Sequence, residues 1–422
     1  MDNKKVRAWL YYDWANSAFA ATMMAAVLPI FYVEVAAKSL SPNVALSYWG
    51  FTQTIAMLIV ALLAPILGAY ADYSGSKMRF LRFFTLLGVV ASGLFAFVNA
   101  GDYLIASALF ILASIGFSSS VAFYDALLPE LVPPEKRDRV SSKGFTYGYI
   151  GGGLLLVVNL AMIQMPHLFG FRDGLVGTHA AFITVAVWWF VFSLPLFREV
   201  KDTRLNSGKK IKEYTAIAFS RTWGTLKHIS RYPELFKFLL AFWFFNDGIN
   251  TIITMATSYG KTIGIGTTDL ILALVITQFV GIPCTLLFGK IADRLGSKMS
   301  LYLSLFLYIV IVILGYFMTS PLHFYILAFM VGMVQGGSQA IARSIFSQMV
   351  PMDRSAEFFG FINVSTRFSS ILGPFCFSMV SLLTGSSRFA ILSLILFFVV
   401  GILLLMNVNL QKGTKEAIQA SA

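Results

Sequence analysis

The sequence predicts an all-α integral membrane protein with twelve transmembrane helices in two similar six-helix bundles. Three observations predict it. Hydrophobic residues make up 57% of the 422-residue chain and charged residues only 12%, more apolar surface than a water-soluble domain can hide. The apolar residues fall in runs of about 20, which as helix match the thickness of a bilayer core. One short motif also occurs twice. Gly68-Ala-Tyr-Ala-Asp72-Tyr-Ser-Gly75-Ser-Lys77 recurs as Gly289-Lys-Ile-Ala-Asp293-Arg-Leu-Gly296-Ser-Lys298, and each copy closes one apolar run just before the next begins.

The first bundle, 1–198, contains the runs 9–35, 45–70, 79–99, 103–125, 140–163 and 178–197. The opening run follows a short basic start with no small-residue cleavage site, so it is expected to be retained. A hydrophilic linker, 199–235, comes next and includes the flexible stretch Asn206-Ser-Gly-Lys-Lys. Its segment Ile211–Ile229 places Ile217, Trp223, Leu226 and Ile229 among Lys and Arg. That pattern reads as an interfacial helix on the inner leaflet or as a solvated linker helix. The second bundle, 236–410, contains the runs 236–258, 268–290, 299–319, 322–345, 357–383 and 387–407, and 411–422 is expected to be a cytoplasmic tail.

A net charge of +12 raises the question of nucleic acid, and the distribution of charge answers it. With both termini in the cytoplasm, only Lys38, Arg172, Lys261 and Arg388 of the 32 lysines and arginines fall on the outer side. That asymmetry is the positive-inside rule, with the lipid bilayer as partner rather than nucleic acid. Cys284 and Cys376 lie inside apolar runs and give neither a disulfide framework nor a metal spacing. His167 and His179 of the outer loop do not make a metal site. No cofactor is expected. No catalytic constellation or phosphate-binding loop appears, so the chain does not read as an enzyme, and any transport would draw on an ion or solute gradient.

The repeat extends beyond the turns. Trp9-x-x-x-Asp13-x-x-Asn16 parallels Trp243-x-x-x-Asp247-x-x-Asn250, and Leu131-Val-Pro-Pro-Glu-Lys136 parallels Met349-Val-Pro-Met-Asp-Arg354. Aligning the Val-Pro pairs sets Asp125 opposite Arg343 and Ser118-Ser-Ser120 opposite Gly336-Gly-Ser338. Parallel six-helix repeats, related by an axis along the membrane normal, suit a machine that rocks one half against the other.

On these residues the chain resembles the major facilitator superfamily, whose turn between helices 2 and 3 has the G-x-x-x-D-x-x-G-x-K pattern, repeated between helices 8 and 9. Tyr12-Asp13-Trp14-Ala15-Asn16-Ser17-Ala18-Phe19 and Asn246-Asp247-Gly248 resemble, more narrowly, the family that includes the autophagy-related vacuolar amino-acid effluxers and many bacterial members. The resemblance implies the major facilitator fold and secondary active or facilitative transport of a small polar solute, with amino acids favoured and proton coupling as one option. A monomer in a bacterial inner membrane is expected. A lipid or lysophospholipid flippase, or a non-transporting sensor on the same fold, are the alternatives. Gly144-x-x-x-Gly148-x-x-Gly151-Gly-Gly153 carries the glycines of the antiporter helix 5 motif without its proline.

Two groups of residues are candidates for mechanism. The gating set is Gly68, Asp72, Gly75 and Lys77, their counterparts Gly289, Asp293, Gly296 and Lys298, and the pair Asp125 and Arg343. Each Gly permits a tight turn, and each Asp can cap a neighbouring helix N-terminus, where free N–H groups favour negative charge. Lys77 is the expected partner of Asp125, and Asp293 of Arg343. A solvated turn that only fixes topology is the plainer reading. The substrate or proton set is Asp13, Asn16, Asp247, Asn250, Gln278, Gln335, Gln339 and Arg367. Asp247 lies about 15 Å of helical rise beyond Lys237, near mid-membrane, where burial makes protonation accessible. Asp13 reads either as a member of this set or as the N-cap of a helix starting at Trp14. The amides equally serve as glue between helices.

Overall fold

A backbone in lipid has no water to bond with, so each apolar run must satisfy its own N–H and C=O groups by forming a helix. The computed structural model describes residues 3–40, 42–202 and 232–421, and these are almost wholly helical. The proposed interfacial helix at 211–229 lies outside the described residues.

Among the described residues twelve long helices follow one another: α1 Asn3–Ala36, α2 Pro42–Ser74, α3 Lys77–Phe97, α4 Tyr103–Leu131, α5 Arg137–Gln164, α6 Gly174–Glu199, α7 Pro233–Thr262, α8 Thr267–Leu295, α9 Ser297–Tyr316, α10 Pro321–Met349, α11 Ser355–Thr384 and α12 Ser387–Met406. Among the described residues eleven of these are long and apolar enough to cross a membrane, and α11 supplies a shorter apolar stretch, Leu372–Ser381. A further helix, α13 Leu410–Ser421, forms where the sequence suggested a tail. Helix α1 widens into π turns at Phe19–Val27 and Tyr32–Ala36, on either side of Pro29. Proline lacks an N–H and crowds the carbonyl one turn back, and π segments often mark functional positions in helices.

The chain packs into two compact units. The first gathers residues 1–127, 147–220 and 356–361. Its core rests on aromatic rings set against small residues. Trp189 is fully buried, and a Cβ at Gly88 would stand 2.4 Å from its ring. A Cβ at Gly116 of α4 would likewise stand 2.4 Å from the Gly88 backbone nitrogen, and such small residues let helices approach closely without a hydrophobic driving force in lipid.

The second unit gathers residues 128–146, 221–355 and 362–422. Gly332 of α10 lies against the Thr277 carbonyl of α8, and Gly401 of α12 against Phe245 of α7. Buried Tyr259 donates to the Gly315 carbonyl at 2.8 Å. Helix α5 therefore contributes its first turns to the second unit, and α11 contributes residues 356–361 to the first. Large apolar side chains such as Phe51, Leu62, Phe97 and Leu383 are exposed on the helices, as expected where lipid rather than water is the solvent.

Candidate functional site

The first copy of the repeated motif builds a helix cap. Gly75 has φ +63°, the left-handed turn that glycine adopts without a steric cost, and it ends α2 so that α3 can begin at Lys77. Gly68, on α2, lies so close to α11 that a Cβ would stand 2.3 Å from the Ala356 carbonyl oxygen. That approach brings Asp72 to the first turn of α11. Its Oδ1 accepts from the Ala356 N–H at 3.1 Å and its Oδ2 from the Glu357 N–H at 2.8 Å. Lys77 Nζ lies 2.7 Å from Asp72 Oδ1, and the two side chains are 10% and 1% exposed. A buried carboxylate thus satisfies two otherwise orphaned donors and one ammonium.

Gly68 sets up a test of this geometry. Gly68→Leu is expected to push the first turn of α11 off Asp72, while Gly153→Leu, where a Cβ meets nothing within 4 Å, should be silent. Alkylation of a cysteine placed at Ala356 reads the difference. Equal protection of that cysteine in both variants would count against the packing role.

The second copy keeps the backbone but not the cap. Gly296 again has positive φ, +86°, and a Cβ at Gly289 would stand 2.9 Å from Ser142 Oγ at the start of α5. Yet Asp293 is exposed. The first turn of α5 carries its own carboxylate, Asp138, whose Oδ2 accepts from Ser297 Oγ at 2.5 Å. Asp138, Asp293 and Glu135 line one open recess of about 520 Å³ together with Lys136 and Arg139.

The expected Asp293–Arg343 pair is therefore corrected. Arg343 donates to Ser141 through Nε to Oγ at 2.9 Å and Nη2 to the carbonyl at 3.0 Å, and it stacks over Phe145 at 4.3 Å. Lys77, the expected partner of half-buried Asp125, also reaches Asp72. Lys298 is a helix-end cap, donating to the Met406 and Val408 carbonyls at 3.1 and 2.7 Å where α12 ends.

Asp13 of α1 and Asp247 of α7 are both buried. Asp13 is 8% exposed, and its Oδ2 accepts from the Tyr124 hydroxyl at 3.0 Å. Trp9 stacks on Tyr124 at 4.4 Å and donates to its carbonyl at 3.0 Å. Helix α1 starts at Asn3, so Asp13 sits inside a continuous helix and is not the N-cap of one starting at Trp14. Asn16 is 4% exposed, and its Nδ2 has no acceptor among the described residues.

Asp247 is 2% exposed. Both of its oxygens accept from one backbone group, the Gly373 N–H of α11, at 3.0 and 2.9 Å. Only glycine fits there: a Cβ at Gly373 would stand 1.9 Å from Thr251 Oγ and 2.8 Å from Asp247 Oδ1. Asn250, Gln278, Gln335 and Gln339 are half-buried. Gln335 lines an apolar cavity of about 90 Å³ with Thr251, Thr277, Tyr259, Phe324 and Phe377. The Arg367 side chain lies outside the described residues.

Three features escape the sequence reading. Arg137, 3% exposed, donates to the carbonyls of Val132, Ser347 and Pro129 at 2.9, 2.6 and 3.0 Å. Glu234 clasps α13, accepting from the Asn409 N–H at 2.8 Å with Lys412 at 3.5 Å and Lys237 at 3.0 Å. Asn159 links α1 and α6, donating to Thr22 Oγ1 at 3.4 Å and accepting from Thr184 at 2.7 Å. Arg137 looks like one more positive-inside charge, and its carbonyl partners carry no sequence mark.

The profile of the vacuole effluxer Atg22-like family matches residues 43–137 and 133–418. The chain belongs to that family. It is 38% identical over 418 residues to the uncharacterized MFS-type transporter YxiO of Bacillus subtilis, spanning 99% of this chain and 97% of that one. Autophagy-related protein 22 of Saccharomyces cerevisiae is 24% identical over 417 residues, 88% of this chain and 75% of its own length. Among solved structures, the proton:xylose symporter XylE superposes with a TM-score of 0.74 at 16% identity, covering 99% of this chain and 98% of that one. FucP in its outward conformation gives 0.70 at 13% identity, covering 97% and 99%. The fold is that of the major facilitator superfamily. As a family member the chain is a multi-pass membrane transporter and not an enzyme.

Proposed function

We propose that the chain moves a small polar solute by alternating access, with amino acids the favoured class and Asp247 as the group that couples a proton or meets a substrate ammonium. The observation that carries this reading is the Asp247 environment. A carboxylate that is 2% exposed within an apolar membrane helix has a single backbone N–H as its partner among the described residues. An ionised group in that setting is costly unless neutralised, so it is suited to take up a proton or a cationic group in each cycle. Two relatives by fold support coupling: XylE is a proton:xylose symporter and FucP a fucose:proton symporter. The amino-acid class rests on the resemblance of Tyr12–Phe19 and Asn246–Gly248 to the autophagy-related vacuolar amino-acid effluxers; the family that matches the chain is one of vacuole effluxers.

The same reading places a monomer in the bacterial inner membrane with both termini in the cytoplasm. The Asp72 cap serves as a latch that forms in one access state and opens in the other. The purified protein in liposomes, screened against amino acids, sugars and polyols with and without a pH gradient, tests solute class and coupling together. Accumulation of an amino acid that collapses with the gradient is the expected result, and no flux of any of these solutes would overturn it. Orientation is tested separately by a reporter fused after Ala422, which should be active only on the cytoplasmic side.

A further inference from the structure

We infer that the ends of α3 and α6 form a binding site for the phosphate of an anionic membrane phospholipid, with Arg79, Arg82 and Lys201 as the cradle. These side chains and Asp202 line an open recess of about 550 Å³. All four belong to the first compact unit.

The charges in the recess do not cancel. Among the described residues that line it Asp202 is the one carboxylate, and its Oδ1 accepts from the Met78 N–H at 2.7 Å, next to the first residue of α3. Arg82 is fixed from below: its Nη2 donates to the carbonyls of Phe197 and, at 3.5 Å, Val200 where α6 ends, and its guanidinium lies 5.9 Å from the Phe197 ring. Arg79 and Lys201 are exposed, and no described carboxylate pairs with either. Three cations converge on one recess against one acidic group, an arrangement that a phosphate with several acceptor oxygens satisfies.

A free phosphate and a lipid headgroup share this chemistry, and the neighbouring surface favours the lipid. On α3, exposed Phe83, Leu86, Val90, Leu94 and Phe97 run from the Arg79–Arg82 turn along the helix. Their spacing of three to four residues holds them to one face. On α6, exposed Ile183, Val187 and Val191 lead toward the same recess. The recess therefore heads an apolar strip long enough for acyl chains. A soluble anion would use the cations and leave that strip to other lipids.

The test uses the full-length protein in nanodiscs of phosphatidylcholine with increasing phosphatidylglycerol, with bound lipid counted by native mass spectrometry. The wild type should retain phosphatidylglycerol preferentially. Arg79→Gln with Lys201→Gln should weaken that preference by about 25-fold, from roughly fivefold for each charge lost near the membrane surface. Both positions are exposed, so the fold should survive, and Arg82 is left in place because it caps α6. Lys290→Gln with Arg294→Gln removes the same charge from exposed positions outside the recess and should change little. Equal weakening in both double variants would mean diffuse attraction and overturn the site. So would no weakening in either. Retention abolished by millimolar inorganic phosphate, with phosphate itself bound in detergent free of lipid, would assign the recess to a soluble anion and overturn the lipid occupant.

Discussion

Asp72→Asn is expected to shift the balance of access states by roughly 100-fold while leaving the protein folded. The carboxylate accepts from the Ala356 and Glu357 N–H groups and from Lys77 in a place where the side chain is 1% exposed. The amide keeps the shape but turns one acceptor into a donor, facing either a backbone N–H or the Lys77 ammonium. Breaking a buried ion pair of this kind costs about 3 kcal/mol, equal to about two decades in an equilibrium. Asp293→Asn should change the balance less than about threefold, because an exposed carboxylate contributes little. Alkylation rates of single cysteines placed on each membrane face measure the shift. Matching effects of the two variants would mean that the turns act alike and that the Asp72 cap is not the latch.

Asp247→Asn is expected to abolish accumulation driven by a pH gradient, by at least about 100-fold, while solute exchange at equal concentrations continues. The amide oxygen still accepts from the Gly373 N–H that both carboxylate oxygens now share, so the contact between α7 and α11 persists and the protein should purify normally. What the amide cannot do is take up a proton at neutral pH. Loss of exchange together with accumulation would assign the carboxylate to a substrate ammonium instead. Wild-type uptake at every pH would remove Asp247 from the mechanism.

Much of this architecture was legible in the residues. Helix type and number follow from run length, because a backbone in lipid has few ways to satisfy itself. The paired turns announced themselves through Gly75 and Gly296, whose positive φ only glycine adopts readily. Asp13 and Asp247 stood out as acids inside apolar runs, and both are buried. What was not legible was partnership. That Arg343 would bond the Ser141 hydroxyl and carbonyl and stack on Phe145 carries no mark in the sequence. That Lys298 would cap the end of α12 is equally unmarked. Backbone carbonyls and hydroxyls accept from cations as well as carboxylates do at short range, and their positions depend on where helices end.

The repeat shows where the division lies. By itself the sequence determined that there are two like halves, each with a tight turn ending in Gly-Ser-Lys, because spacing and glycine chemistry are local. Only the tertiary structure decided that the turns differ. Asp72 meets the open N–H groups of Ala356 and Glu357, whereas Asp293 shares a recess with Asp138 and Glu135 and stays exposed. The physical reason is that a carboxylate caps a helix only where packing brings free first-turn donors to it; both turns carry an acid of their own, Glu357 on α11 and Asp138 on α5. Which turn arrives beside which motif is set by packing across hundreds of residues and not by the motif.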